Sequence, residues 1–132
     1  WEGTTNVLSL DALRAMGREN ALEPFLADID AHLDGLSGPT VDRVRAAKDR
    51  VTAYAFRMVK AGPADVQAGA RGFATSLYRT YAAALLCHAG AWEERRGGSR
   101  LAVSARRWAA KDLTPLVDVE LNRFEDSRAL ID

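Results

Sequence analysis

The sequence predicts an all-α fold, and three observations carry that prediction. Apolar residues recur at steps of three and four along almost the whole chain. No stretch alternates with the period of two that a half-buried strand requires. The breaks between apolar stripes are short and rich in Gly, Pro, Ser or Thr, which makes successive helices antiparallel neighbours. The expectation is an up-and-down bundle of five to six helices in a single domain, residues 1–132. Residues 1–17 form a leading motif and helix, and residues 20–132 form the bundle proper.

Each element has its own signal. After an opening turn, Val7, Leu10, Leu13 and Met16 lie on one helical face, and Gly17-Arg18-Glu19-Asn20 interrupts it. Asn20 is placed to cap a second helix, with Glu23 at the reciprocal position of a capping box. Phe25, Leu26, Ile29 and Leu33 form its apolar stripe, and Asp28, Asp30 and Asp34 lie opposite. The stretch 35–40, GLSGPT, stops this helix, with Thr40 as the expected cap of the next. That third helix runs from about Val41 to Lys60 around Val44, Val51, Ala55 and Met58, with Arg43, Arg45, Lys48, Asp49 and Arg50 on a solvated side. The fourth and longest runs from about Ala64 to Arg95. Phe73, Leu77, Tyr81, Ala84, His88 and Trp92 mark its stripe, and Gly69 and Gly72 permit a neighbouring helix to approach closely. Ser99 is positioned to cap a fifth helix bearing Leu101, Ala105, Trp108 and Ala109. Thr114-Pro115 signals the start of a sixth, with Leu116, Val119 and Leu121 leading to Phe124.

Composition narrows function more by exclusion than by assignment. Lys plus Arg and Asp plus Glu number 18 each, so net charge is zero and selects neither an acidic nor a basic partner. The charges are unevenly spread, with acids dominating residues 1–40 and bases the remainder. Cys87 is the single cysteine, which excludes an intrachain disulfide and a thiolate zinc site. No apolar run approaches the ~20 residues of a membrane span, and no signal peptide is visible; a cytoplasmic location is the expectation. His32 and His88 lack the spacing of metal ligands, and no metal is expected. His32 reads as a surface residue and His88 as a packed histidine with one hydrogen bond. Cys87, in an Ala/Leu-rich helix, reads as a small buried apolar residue. Arg95, Arg96, Arg100, Arg106 and Arg107 gather around one bend near Trp92 and Trp108. Interleaved Arg and aromatic residues can serve nucleic-acid binding, but both Trp residues sit on apolar stripes and are expected to pack in the core.

The opening WEGTTNVLSLDAL is the remaining motif. By pattern it is a carboxylate beside an aromatic, then a glycine that admits another group to the backbone, then a helix start suited to an anion. A frayed terminus capped by Thr4 or Thr5 explains the same residues. The stretch resembles a signature of the acyl-CoA dehydrogenase family, an aromatic-Glu-Gly-Thr sequence opening a late helix, with an Asn or Gln two residues after the Thr. Trp1 matches the aromatic and Asn6 the amide. The Trp-Glu-Gly form followed by NVLSLDALR is most similar to the branch containing the alkylation-response protein AidB, and YAAALLCHA is similar to its C-terminal helical region.

The resemblance implies that Glu2 is the catalytic base, that Trp1 walls an acyl pocket, and that Gly3, Thr4 and Asn6 lie near FAD. It implies an acyl-CoA substrate and assembly as a homo-oligomer. It also implies that Trp1 is an interior residue of a longer enzyme, and that this fragment alone neither binds FAD tightly nor catalyses. Association of the AidB-like branch with DNA makes nucleic acid an alternative partner, met by the five Arg residues. A purely structural oligomerisation domain is a further alternative.

Overall fold

A computed structural model describes residues 2–116 and 129–131, with side chains from Val7 onward. It contains α1 (Glu2–Arg18), α2 (Leu22–Leu33), α3 (Pro39–Lys60), α4 (Pro63–Glu94) and α5 (Arg100–Ala109), with no strand among the described residues. The all-α expectation holds. The helix expected after Pro115 lies outside the described residues.

α4 is the axle of the bundle. Its 32 residues extend about 48 Å at the α-helical rise, and each of the other four helices packs on it. Its register against α3 is antiparallel. Gly69 faces Met58 and Tyr54, while the Phe73 ring stacks on the Tyr54 ring at 5.7 Å. α5 returns along the other side of α4, with Gly90 against Ala102 at one end and Trp108 Nε1 donating to the Arg79 carbonyl (2.9 Å) at the other. Both glycines stand where a side chain would collide with a packed neighbour, which is why so long a helix carries them despite their cost to helicity.

The core divides along α4. One cluster gathers Ile29, Leu33, Val44, Ala47, Ala83, Ala84 and Ala105 from α2, α3, α4 and α5. The other gathers Val51, Tyr54, Met58, Phe73 and Leu77, with Leu13 and Met16 of α1 and Leu116 packed against it. Leu13 and Met16 thus hold the expected α1 face, whereas Val7 is exposed.

Several expected caps are replaced by other devices. Asn20 does not cap α2. It takes the left-handed backbone (φ 53°) that Asn tolerates better than most residues, and the Ala21 N–H turns back onto the Ala15 carbonyl (3.2 Å). The cap position belongs to Ala21, without a side-chain bond. Thr40 is displaced likewise. Gly38, at φ 110°, takes the cap position of α3 so that Pro39 can open the helix. α1 is already helical at Glu2, so Thr4 and Thr5 lie in its first turn and there is no opening turn. Ser99 occupies its expected position, but its hydroxyl makes no cap bond. Glu93 Oε2 on α4 instead accepts the Leu101 N–H (2.6 Å), placing a carboxylate at the positive end of α5.

The side of α3 expected to be solvated also does structural work. Arg45 donates to the Leu33 and Leu36 carbonyls (3.2 Å each), satisfying the C-terminus of α2. Lys48 pairs with Asp30 of α2 (2.5 Å), and Arg50 Nε donates to Thr114 Oγ1 (2.9 Å).

Candidate functional site

The Glu-Gly-Thr motif lies in α1, which is helical from Glu2 onward among the described residues, in its first described turn. Glu2, Gly3, Thr4, Thr5 and Asn6 occupy that first turn and the start of the second, where they combine a carboxylate, two hydroxyls, an amide and a residue without a side chain. Trp1 and the side chains of residues 2–6 lie outside the described residues.

The next turns of α1 show how the motif is held. Ser9 is buried, and Leu13 and Met16 anchor the helix to the second core cluster. Val7 and Leu8, directly after the motif, leave 57% and 63% of their surface uncovered. The motif end of α1 therefore carries apolar surface that the bundle itself does not use. Farther along, Leu13, Met16 and Gly17 join Leu22, Ala55, Met58, Val59, Val66 and Phe73 around an apolar groove of about 220 Å³.

The five arginines are brought to one end of the molecule only in part. Arg95, Arg96 and Arg100 stand at the turn between α4 and α5. Arg106 and Arg107 lie about 9–10 Å farther along α5 at the helical rise. All five are exposed. On α5, Arg100 and Arg107, seven residues apart, share a face, and Arg106 points about 120° away from it, lining a cleft with Ser37, Thr40, Cys87 and Glu94. Trp92 corrects an expectation. It is exposed rather than packed in the core, and the Arg96 guanidinium lies over its ring at 3.9 Å. Trp108 is half-buried, edge-on to Tyr78 at 5.9 Å and covered by the Lys111 ammonium at 4.6 Å.

His88 also departs from expectation. It is exposed, with Nδ1 3.3 Å from the His32 carbonyl, and its ring meets the half-buried His32 edge-on at 5.0 Å. His32 Nε2 lies 3.4 Å from Asp28 Oδ2, which also accepts the Tyr81 hydroxyl (2.5 Å). That hydrogen bond to Asp28 pushes the Tyr81 pKa up, with desolvation and the carboxylate's charge adding to it. No group of three His, Cys, Asp or Glu among the described residues is arranged to hold a metal. Residues 56 apart in sequence gave no local sign that they would meet. Cys87 is buried as expected, and burial raises its thiol pKa. No helix of the described residues is long and apolar enough to cross a membrane.

The decisive observation is a match of residues 20–132 to the family described as "Acyl-CoA dehydrogenase 11 C-terminal domain-like". The chain belongs to that family. It is 30% identical over 143 aligned residues to "Acyl-CoA dehydrogenase family member 11" of Caenorhabditis elegans. That alignment covers 100% of this chain and 22% of the relative, so the chain spans about a fifth of the relative's length. No solved structure matches the chain. The match to the acyl-CoA dehydrogenase 11 C-terminal domain covers α2 to α5 and the residues beyond, while α1 and its motif are reached by the alignment to the nematode protein.

Proposed function

We propose that this chain is the C-terminal helical portion of an FAD-dependent acyl-CoA dehydrogenase-like oxidoreductase, contributing the catalytic base and subunit contacts. The observation that carries the reading is a Glu-Gly-Thr motif on the helix immediately before a bundle of this family. The donor set of that first turn fits a flavin's polar edge, since Thr4 and Asn6 bring a hydroxyl and an amide and Gly3 leaves the backbone open. When bound, FAD supplies the hydride acceptor for the substrate's β-carbon. The remaining chemistry belongs to this chain. The Glu2 carboxylate takes the proton α to the thioester carbonyl, a task that requires a carboxylate in a dry site, where desolvation raises its basicity. Trp1 walls the acyl chain, and the uncovered Val7 and Leu8 face apolar surface supplied from outside the bundle.

The test uses the complete gene product carrying these residues. It should be yellow, and an acyl-CoA should bleach its flavin absorbance anaerobically. Glu2→Gln should retain the flavin and lose the bleaching. A Glu2→Gln protein that bleaches at the normal rate removes Glu2 from the chemistry, and a colourless complete protein removes the flavin.

A second reading, DNA binding of the AidB-like kind, is favoured by the exposure of Arg95, Arg96, Arg100, Arg106 and Arg107. Phosphate contacts would make affinity fall steeply with salt. Binding unchanged by salt or by replacement of Arg95, Arg100 and Arg107 with Ala would count against it.

A further inference from the structure

The outward face of α4 carries Tyr78, Leu85 and Trp92, spaced by seven residues and exposed at 63%, 40% and 48%. Seven residues fall about 20° short of two full turns, so the three form one stripe about 21 Å long. Ala82 and Ala89 fill the intervening positions. The stripe is apolar at its centre and amphipathic at both ends, where an indole and a phenol combine an apolar ring with a polar tip.

Cations border this stripe. Arg96 lies over Trp92 and Lys111 over Trp108, whose ring meets Tyr78. On the antiparallel α5 the exposed Arg100 and Arg107 continue the row from Arg96 toward Lys111. Of the neighbouring carboxylates, Glu93 is engaged in capping α5, Asp112 accepts the Thr114 N–H (3.0 Å), and Glu94 lines the cleft beside Arg106.

We infer that this α4–α5 face docks on an anionic phospholipid surface, with Tyr78, Leu85 and Trp92 entering the interfacial layer and the flanking Arg and Lys residues meeting headgroup phosphates. Charge decides between occupants. A second copy, related by a two-fold axis through Leu85, would bring the Arg96–Arg100 end of one stripe onto the Arg71–Lys111 end of the other, cation against cation. A nucleic-acid base stacking on Trp92 would have to displace Arg96 from one face of the ring. An anionic bilayer conflicts with neither arrangement, because long basic side chains can keep their heads at the phosphate level while apolar neighbours insert.

The experiment is sedimentation of the complete gene product carrying these residues with vesicles of phosphatidylcholine alone and of phosphatidylcholine with 30% phosphatidylglycerol. The expected result is binding to the anionic vesicles only, weakened at least fivefold between 0.05 and 0.5 M salt as headgroup charge is screened. Leu85→Glu, at an exposed site, should lower binding at least tenfold while leaving the helical circular dichroism unchanged. Arg100→Gln with Arg107→Gln and Lys111→Gln should do the same through charge alone. Absence of binding, equal binding to both vesicles, or binding unaffected by both variants would overturn the proposal. So would light scattering that shows a dimer lost on Leu85→Glu, or capture of a single-stranded oligonucleotide in place of the anionic vesicles.

Discussion

Replacement of Gly69 by Ala is the sharpest test of how α3 and α4 pack. In an exposed helix interior this change stabilises by up to about 1 kcal/mol. Here the new methyl would overlap the Tyr54 hydroxyl and lie 3.1 Å from the Met58 Cε. Tyr54 is fully buried and its ring is stacked on Phe73, so it cannot swing aside, whereas the Met58 methyl can. Overpacking of a core costs about 1–3 kcal/mol, and the net expectation is a loss of about 1–2 kcal/mol. Tyr54→Phe removes the obstructing oxygen. The nearest ring atom is then Cζ at 3.4 Å, an ordinary contact, so Gly69→Ala in the Tyr54→Phe background should be neutral or mildly stabilising. Urea unfolding of the four proteins gives the double-mutant cycle, with an expected coupling of about 2 kcal/mol. Equal destabilisation by Gly69→Ala in both backgrounds would refute the argument that this glycine exists to admit Tyr54.

Three further outcomes follow from the same geometry. Glu93→Ala should destabilise by about 1–2 kcal/mol, because the Leu101 N–H loses its carboxylate cap, and a thermal melt unchanged by the substitution would show the cap to be idle. Asn20→Gly should leave stability nearly unaltered while Asn20→Ala costs about 1 kcal/mol, since only the latter resists the left-handed backbone; equal melting temperatures would contradict this. Burial raises the Cys87 pKa, so its native-state alkylation should be slow and still rising with pH after an unfolded control has levelled off. By the same linkage, its contribution to stability is complete below the ordinary thiol pKa and is lost as pH climbs through the raised one. Native and unfolded rates that level off together would remove the burial argument.

The architecture was legible because it rests on local signals. Stripes such as Val44–Val51–Met58 and breakers such as Gly38-Pro39 act over a turn or two, so the helix order and the boundaries of α3 and α4 could be read within a few residues. The caps were less legible, because Asn, Thr and Ser satisfy several turn geometries and tertiary partners choose among them. Glu93 displaced Ser99 as the cap of α5 only because α5 folds back beside α4. Arg45 looked solvated because the carbonyls it serves belong to a different helix. Trp92 was misread for a related reason. Its spacing from His88 matched the helical period, but period cannot say which face of a long central helix a neighbour will cover. The pairing of His32 with His88 had no local signal at all. The Glu-Gly-Thr motif was legible as a short pattern, and the structure adds that it lies on a helix tied down at Leu13 and Met16.

If Glu2 removes the α-proton of an acyl-CoA thioester, solvent deuterium should wash into the α-carbon through that carboxylate. The complete gene product should be incubated anaerobically in D₂O with an acyl-CoA, and label at the α-carbon followed by mass spectrometry. Incorporation is expected with the wild-type protein and at least a hundredfold slower incorporation with Glu2→Gln, in line with the ~10²–10⁴-fold contribution of a positioned general base. Equal incorporation by the two proteins would contradict that role for Glu2.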